Sequence, residues 1–516
     1  MNWPATIANS LWIGSSLPSL ATFRRALRQP ATVQRDLLRA LLDRNAECAY
    51  GRRHGLREIR SYEEFARRVP MVDYADIEPW IERIRLGESG VLTSESVTHL
   101  IPTSGSTGAR KLIPFTAGLQ REFNAAMGPW ICDLAQQHPA ILGGPAYWSI
   151  TPATQPADIE PSAVPIGFAD DTSYLGGLKS WLVRLAMVVP NESSRVADLE
   201  AFRYHTLLSL LRQRDLRLVS VWHPSFLSLL LDALPDYWDK LLAEIRRTHS
   251  DRARELAHAD LRRPESLWPH LQVISCWGDR NAALGLADLH RRFPNTRVQP
   301  KGLLATEAFV TIPFGEAHPL ALRSHYFEFT NSDGRVRLAH ELRAGETYGV
   351  VVTTSGGLWR YRLGDQVQVT GFVERTPSLR FLGRAQVSDR FGEKLSEVFV
   401  SDVLKQLFAD LAATPRFVLL APEQRGAQWH YTLFLESESP MEVIRGELEK
   451  ALCANPHYAE CRRLGQLQPV GLFRIRAGGF KTFTAHEMKR GCRLGDLKPQ
   501  YLSSDAGWAE RFDSEF

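Results

Sequence analysis

The sequence predicts an α/β fold in two unequal domains, on three observations. Short apolar runs alternate with amphipathic helical ones from residue 96 to about 375, the pattern of strands separated by helices. Within that span, "YGVVVTTSGGLWRYRLGDQVQVTGFV" (348–373) reads as successive β-strands. After "RFLGRAQ" (380–386) the pattern changes to a compact α+β unit the size of a small domain. The boundary is therefore expected near Leu382 to Arg384, giving domains over 1–382 and 383–516.

The first 23 residues carry no charged side chain. A signal peptide is expected to open on lysine or arginine, and Pro4 and Pro18 interrupt a run that is too weakly apolar to span a bilayer. A segment packed on the body is expected, without stable membrane insertion. Residues 28–90 have amphipathic helical spacing. "AYWSIT" (146–151), "LVSVW" (218–222), "LQVISCW" (271–277) and "RVQPKGLLA" (297–305) are predicted strands, with "SFLSLLLDAL" (225–234) and "LADLHRRF" (286–293) as helices between them. "RVRLAHEL" (335–342) precedes the later β-run, which is expected to break at Gly356-Gly357 and at Gly364-Asp365. Beyond the boundary follow a helix from Glu397 to Leu411, the strands "RFVLLAP" (416–422) and "WHYTLFLE" (429–436), a helix over 441–454 and the strand "VGLFRIR" (470–476).

At 516 residues the chain can bury a substantial core, and 44% hydrophobic with 23% charged residues is ordinary globular composition. The 62 basic and 58 acidic residues leave a formal charge of +4, too small to mark a nucleic-acid binder. In the arginine-rich "RRTHSDRARELAHADLRR" (246–263), Asp251, Glu255 and Asp260 interleave with the cations, as on a solvated helical face. Six scattered cysteines without a Cys-x-x-Cys pair point to reduced thiols in a cytoplasm, with neither a disulfide frame nor a zinc site.

Four stretches carry candidate chemistry. "TSGSTGARKLIPFT" (103–116) combines hydroxyls, glycines and the basic pair Arg110-Lys111, a composition suited to an anion cradled by backbone N–H groups. Only two residues separate Gly105 from Gly108, which excludes the usual nucleotide loop with four; a plain glycine–serine turn would share the composition. In "KGLLATEAF" (301–309), Thr306 beside Glu307 suits a phosphate oxygen and a magnesium ion, or equally a helix N-terminus. In "LWRYRLGDQV" (358–367), Asp365 can accept both hydroxyls of a ribose, or can sit in a β-turn. "GGFKTFTAHEMKRGCRLGDLKPQYL" (478–502) offers Lys481, Lys489 and Lys498, any of which could be catalytic or a surface charge.

The order of these stretches resembles the adenylate-forming superfamily of acyl-CoA synthetases, luciferases and peptide-synthetase adenylation domains. Within it, the chain is most similar to the auxin-responsive acyl acid–amido synthetases. "TSGSTGARKLIPFT" looks like that family's first nucleotide motif, "GETYGVVVTTSGGLWRYRLGD" (345–365) like its third, and "VPMVDYADIEPWIERI" (69–84) like its N-terminal signature. "GCRLGDLKPQYL" (491–502) resembles its lysine-bearing C-terminal segment, so that the similarity runs from about residue 35 to 502.

The resemblance implies a large N-terminal α/β domain with a β-barrel-like portion, and a small mobile C-terminal domain. It implies ATP and magnesium as cofactors. Ser104, Gly105, Ser106, Thr107, Gly108 and Lys111 would serve the phosphates, Thr306 and Glu307 the α-phosphate and magnesium, and Asp365 the ribose. Arg384 would lie at the hinge, and Lys394 in "GEKLSE" would approach phosphate after domain movement. Lys498, which alone stands in a Gly-x-x-Lys-Pro context, would be the mobile catalytic lysine beside Lys111 and Glu307. One departure is Leu303-Leu304, where the family's plant members carry an aromatic residue, so stacking on adenine is not implied. The implied reaction is attack of a carboxylate on the α-phosphate to give an acyl-adenylate and pyrophosphate, then transfer to an amino acid or other amine. Transfer to coenzyme A or a carrier thiol is the alternative, and an ATP-binding protein without catalysis a second.

For the acid, the helix after the loop (Phe123, Met127, Trp130, Ile131), "YLGGLKSWL" (174–182) and the aromatic candidates Trp222, Phe226 and Trp277 stand against a reading as plain core. Arg280 or His223 could meet a carboxylate. The expected partners are a small-molecule acid and an amine, acting on a monomer in the cytoplasm, with no nucleic acid.

Overall fold

The computed structural model describes residues 2–103, 111–148, 162–167, 185–188, 199–279, 282–384, 387–388, 391, 393–426, 428–437, 441–489 and 500–513. Two compact units are present. One comprises Met1–Asp279, Gly285–Leu363 and Val367–Phe381; the other comprises Arg280–Leu284, Gly364–Gln366 and Leu382–Phe516.

In the first unit, the uncharged N-terminal stretch forms a single helix, α1 (Trp3–Ala26). Asn2 caps it by accepting from Ala5 N at 3.1 Å, and Pro4 sits in the first turn, where its missing N–H leaves no bond unmade. Arg24 and Arg25 in the last turn suit the negative end of the helix dipole. The face carrying Ala5, Ala8, Leu20 and Phe23 is buried, while Trp3, Ile7, Leu11 and Leu17 are exposed. The expected segment packed on the body is thus a helix, and no described helix is long and apolar enough to cross a membrane. The predicted helical span that follows contains α2 (Pro30–Arg44), α3 (Ala49–His54), α4 (Tyr62–Arg68) and α5 (Tyr74–Arg85). Next come the antiparallel pair β1 (Val97–Thr103) and β2 (Lys111–Thr116), and then α6 (Ala117–Gln137), on which α1 packs. The two helices approach closely at Gly128, where a Cβ would lie 3.2 Å from Ser19 Oγ.

The α/β part is a four-stranded parallel sheet in the order β3 (Ala146–Trp148), β4 (Leu218–Ser220), β5 (Val273–Trp277), β6 (Arg297–Lys301). Helices Leu199–Arg212, Pro224–Asp232 and Ala282–Arg292 fall between its strands in sequence, as parallel crossovers require. The strand expected to run to Ala305 ends at Lys301. Gly302 is pressed against Thr311, where a Cβ would be 2.5 Å from the carbonyl oxygen, and Leu303 N donates to Thr311 Oγ1 at 2.7 Å. These contacts turn the chain out of the sheet.

The expected barrel-like portion takes the form of a five-stranded sheet. Its order is β11 (Thr376–Arg384), β10 (Tyr361–Val373), β9 (Thr347–Thr353), β7 (Tyr326–Thr330), β8 (Val336–Leu338). The expected break at Gly356-Gly357 is present between β9 and β10, whereas the one at Gly364-Asp365 is not: β10 runs straight through it. Gly364 adopts φ 76, so the strand absorbs a local kink at the one residue type that carries no Cβ, and Val367 and Val369 continue the buried face.

The second unit holds a three-stranded sheet, β14 (Phe417–Arg425) antiparallel to β15 (Gln428–Glu436), which pairs in parallel with β16 (Leu467–Arg474). The parallel connection passes through helices Met441–Leu452 and Pro456–Arg463. A short ladder, β12 (Val387–Ser388) with β13 (Leu395–Ser396), precedes helix Glu397–Asp410, whose N-cap Ser396 accepts from Phe399 N at 3.1 Å. Leu404, Leu420, Leu433, Ile444, Leu448 and Tyr458 form part of its core.

Candidate functional site

Thr103 pairs with Lys111 across β1 and β2, so the ends of the glycine–hydroxyl loop are held side by side. The loop residues Ser104, Gly105, Ser106, Thr107, Gly108 and Arg110 lie outside the described residues. Lys111 Nζ sits 5.7 Å from the Tyr74 ring centroid, and Tyr74 Oη accepts from Leu112 N at 2.8 Å. Burial pushes the Tyr74 phenol above its ordinary value. The N-terminal signature therefore fastens the outgoing strand of the loop.

A buried polar network links the elements that carry the motifs. Thr116 caps α6, accepting from Leu119 N at 3.1 Å, and its hydroxyl donates to Ser355 O at 3.3 Å. One turn on, Glu122 accepts from Ser355 Oγ at 2.6 Å, from Ser355 N at 3.1 Å and from His325 Nδ1 at 2.9 Å. Phe309 N donates to His325 Nε2 at 3.1 Å, which assigns the imidazole proton to Nδ1. Glu122, His325 and Ser355 are all buried. The chain of bonds runs from the start of α6 through the "TTSGG" turn (353–357) to Phe309, two residues past Glu307.

Thr306 and Glu307 stand at the tip of a tight turn, closed by Ala305 N donating to Ala308 O at 2.9 Å and flanked by the Leu304–Phe309 bridge. This geometry replaces the helix N-terminus that local sequence also allowed. Glu307 is only 7% exposed and makes no hydrogen bond or ion pair among the described residues. A buried carboxylate with its lone pairs open suits a hard, oxygen-seeking cation, so the side chain fits magnesium.

Asp365 is buried on β10, within the continuous strand and not at a β-turn. In the second unit, Arg384 ends β11, but its side chain lies outside the described residues. Lys394 is exposed, at φ 43, and its carbonyl accepts from Asn455 Nδ2 at 3.3 Å. Lys498 lies outside the described residues, whereas Lys481 and Lys489 are exposed on helix Gly479–Lys489. Just downstream of Lys498, Tyr501 N and Leu502 N donate to the two carboxylate oxygens of Glu397 at 2.9 and 2.7 Å. Leu420 N donates to Tyr501 O at 2.7 Å.

The acid-pocket candidates separate. Across the parallel sheet, Trp148, Ser220, Ser275 and Gln299 stand in register on one face. Trp130 Nε1 and Ser275 Oγ both donate to Gln299 Oε1, at 3.1 and 3.3 Å, so α6 covers this face. Two residues further on come Trp222, just past the end of β4, and Trp277 and Lys301 in their strands, with Trp277 N donating to Trp222 O at 2.8 Å. Met127 is half-buried against the cluster that holds Phe123, Trp130 and Ile131. Trp277 is buried and packs on Phe381, ring centroids 5.6 Å apart. Phe226 packs its ring 6.2 Å from Phe202 of helix Leu199–Arg212, a core contact. His223 is buried; Arg280 and residues 174–182 lie outside the described residues.

Sequence reading did not single out Lys301. Its Nζ lies 5.1 Å from the Trp222 ring centroid and 6.0 Å from that of Trp148, with no carboxylate partner among the described residues. Burial pushes its ammonium from 10.5 down to about 7, and pushes the neighbouring Cys276 thiol up to about 12. Between those two lysine values the unfolded chain holds the proton that the folded chain has lost, so stability rises with pH, by as much as about 1.4 kcal/mol per unit. Urea titrations at pH 7.5 and 8.5 are expected to show that rise, and Lys301→Met to lack it; parallel behaviour of the two proteins would contradict the assignment. The signal for Lys301 was its period of two from Gln299 in a strand. Nothing local marked Glu122 and His325.

Comparison with known proteins adds the following. The GH3 family N-terminal domain matches residues 19–263, the GH3 family central domain 318–384 and the GH3 family C-terminal domain 399–507. A protein of Oryza sativa subsp. japonica named "Probable indole-3-acetic acid-amido synthetase GH3.12" is 26% identical, over 93% of this chain and 92% of its own length. The solved structure of an acyl acid amido synthetase in complex with 2,4-DB superposes with a TM-score of 0.84 at 20% identity, covering 97% of this chain and 96% of that one. A 2-hydroxyisobutyryl-CoA ligase in the postadenylation state superposes with a TM-score of 0.53 at 15% identity, over 95% and 93% of the two chains.

Proposed function

The chain belongs to the GH3 family, and from that membership we propose that it is an ATP-dependent acyl acid–amido synthetase. It joins a carboxylic acid to the α-phosphate of ATP, releasing pyrophosphate, and then transfers the acyl group to an amino acid or other amine, releasing AMP. Similarity to an amido synthetase over more than nine-tenths of both lengths supports this reading. The single observation that carries it is Glu307, a buried carboxylate left open at the tip of a turn that the Glu122–His325 network braces.

In this reading the large domain spans 1–382 and the small one 383–516. The backbone and hydroxyls of Ser104–Gly108, together with Lys111 and Thr306, bind the phosphates, and Asp365 the ribose. Two anions must meet for the carboxylate to reach phosphorus, so cationic groups have to offset their repulsion. Lys111 and Lys498 do this from the protein; magnesium, held by Glu307, supplies further positive charge against the phosphate oxygens when bound. After adenylation, rotation near Arg384 withdraws Lys498, brings Lys394 towards the phosphate and admits the amine. The reaction is placed in a reducing cytoplasm, a reading drawn from six scattered cysteines without a Cys-x-x-Cys pair.

The test is acid-dependent exchange of labelled pyrophosphate into ATP across a panel of acids, followed by mass analysis of products formed with mixed amino acids or with coenzyme A. Exchange and an amide are expected. A thioester without any amide would reassign the second half-reaction, and folded protein that binds ATP yet exchanges with no acid would overturn the proposal.

A further inference from the structure

Three hydrogen-bond donors on one face of the parallel sheet, at the carboxyl ends of its strands, have no acceptor among the described residues. They are Lys301 Nζ, Trp148 Nε1 and Ser220 Oγ, and the last two are fully shielded from solvent. Trp148 and Ser220 are register neighbours on β3 and β4, and the indoles of Trp148 and Trp222 both face the Lys301 ammonium. Lysine is almost never buried without a partner, and a buried donor left unmatched costs free energy. Carboxyl ends of parallel strands are where α/β sheets take their ligands. Resting on the synthetase reading above, we propose that Lys301, Trp148 and Ser220 bind a second anionic group of the acyl acid, distinct from the carboxylate that reacts. The substrate class is thus an acid with two anionic ends, its body lying against the indoles of Trp148 and Trp222.

The choice of the second anion follows from charge. The reacting carboxylate loses its charge on becoming an acyl-adenylate, so an ammonium paired with it would bind the starting acid better than the transition state and oppose the reaction. An anion at the other end keeps its charge throughout and holds the acid equally well before and after adenylation. Burial, which drives the Lys301 ammonium down to about 7, is offset once an anion enters.

Isothermal titration with matched acids tests this: phenylacetate against 4-carboxyphenylacetate, and hexanoate against adipate. Wild-type protein is expected to bind the dianion of at least one pair tenfold or more tighter than its monoanionic mate. Lys301→Met is expected to erase that preference while retaining the monoanion, and Lys301→Arg to restore part of it. Absence of any preference for a dianion in the wild type, or equal loss of both mates in Lys301→Met, would overturn the proposal. Pyrophosphate exchange is scored separately: tight dianion binding by protein that exchanges with no acid of the panel would reject the synthetase reading and leave the Lys301 site standing.

Discussion

Glu307→Gln is expected to slow acid-dependent pyrophosphate exchange by about 10²-fold or more, the usual scale for loss of one group that stabilises developing charge. The amide keeps the side chain's volume but not its charge. Since Glu307 makes no hydrogen bond or ion pair among the described residues, the replacement breaks no bond among them. The thermal midpoint should therefore stay within about a degree or two of the wild type. Half-saturation by magnesium should move to higher concentration at the same time. A variant with wild-type exchange and unchanged magnesium dependence would remove Glu307 from the reaction. A variant that simply melts early would show that the residue holds the turn together instead.

Glu328→Ala should cost about 3–5 kcal/mol of stability, because it strands a buried guanidinium. Glu328 on β7 accepts from Arg360 Nε at 2.9 Å and from Arg360 Nη2 at 2.8 Å, and both side chains are almost fully enclosed. The remaining guanidinium nitrogen donates to Ala66 O at 2.9 Å and Val69 O at 2.8 Å, tying the end of α4 to the start of β10. Tyr62 Oη donates to the same carboxylate at 2.9 Å; burial, and then the Glu328 charge, push its phenol above the ordinary range. Arg360 itself holds φ 46, a backbone setting that β-carbons disfavour and that this set of bonds sustains. Urea unfolding measures the loss, and pairing Glu328→Leu with Arg360→Met should recover much of it, since no charge is then left alone. A single-variant loss below about 1 kcal/mol would show that water reaches the arginine.

The parallel strands were legible because each is a short apolar run, as in "LVSVW" and "LQVISCW", and because helical spacing fills the intervals between them. The helices and hairpin of the second unit were legible for the same reason. Gly364-Asp365 misled because glycine before aspartate is the ordinary signature of a turn, and sequence does not reveal that a strand can pass through positive φ at a single glycine. "RVQPKGLLA" ran too long because the contact that ends β6, Gly302 against Thr311, depends on a residue nine positions away. The polar network escaped entirely. Glu122 meets His325 and Ser355 across 203 and 233 residues, and none of the three sits in a pattern that local periodicity can read. Lys301 escaped because composition teaches that lysines point outward. Phe226 showed the opposite: an aromatic residue beside a strand end that turned inward, to Phe202.

Glu397 grips two consecutive amides only three and four positions beyond Lys498, and β14 secures the same short piece from its other side. Three residues at full stretch span about 10 Å. Position 498 is therefore leashed by chain length alone: its backbone stays within about 10 Å of an anchored point, and any longer excursion has to take the helix and the sheet along with it, as a crane moves its hook by turning the cab.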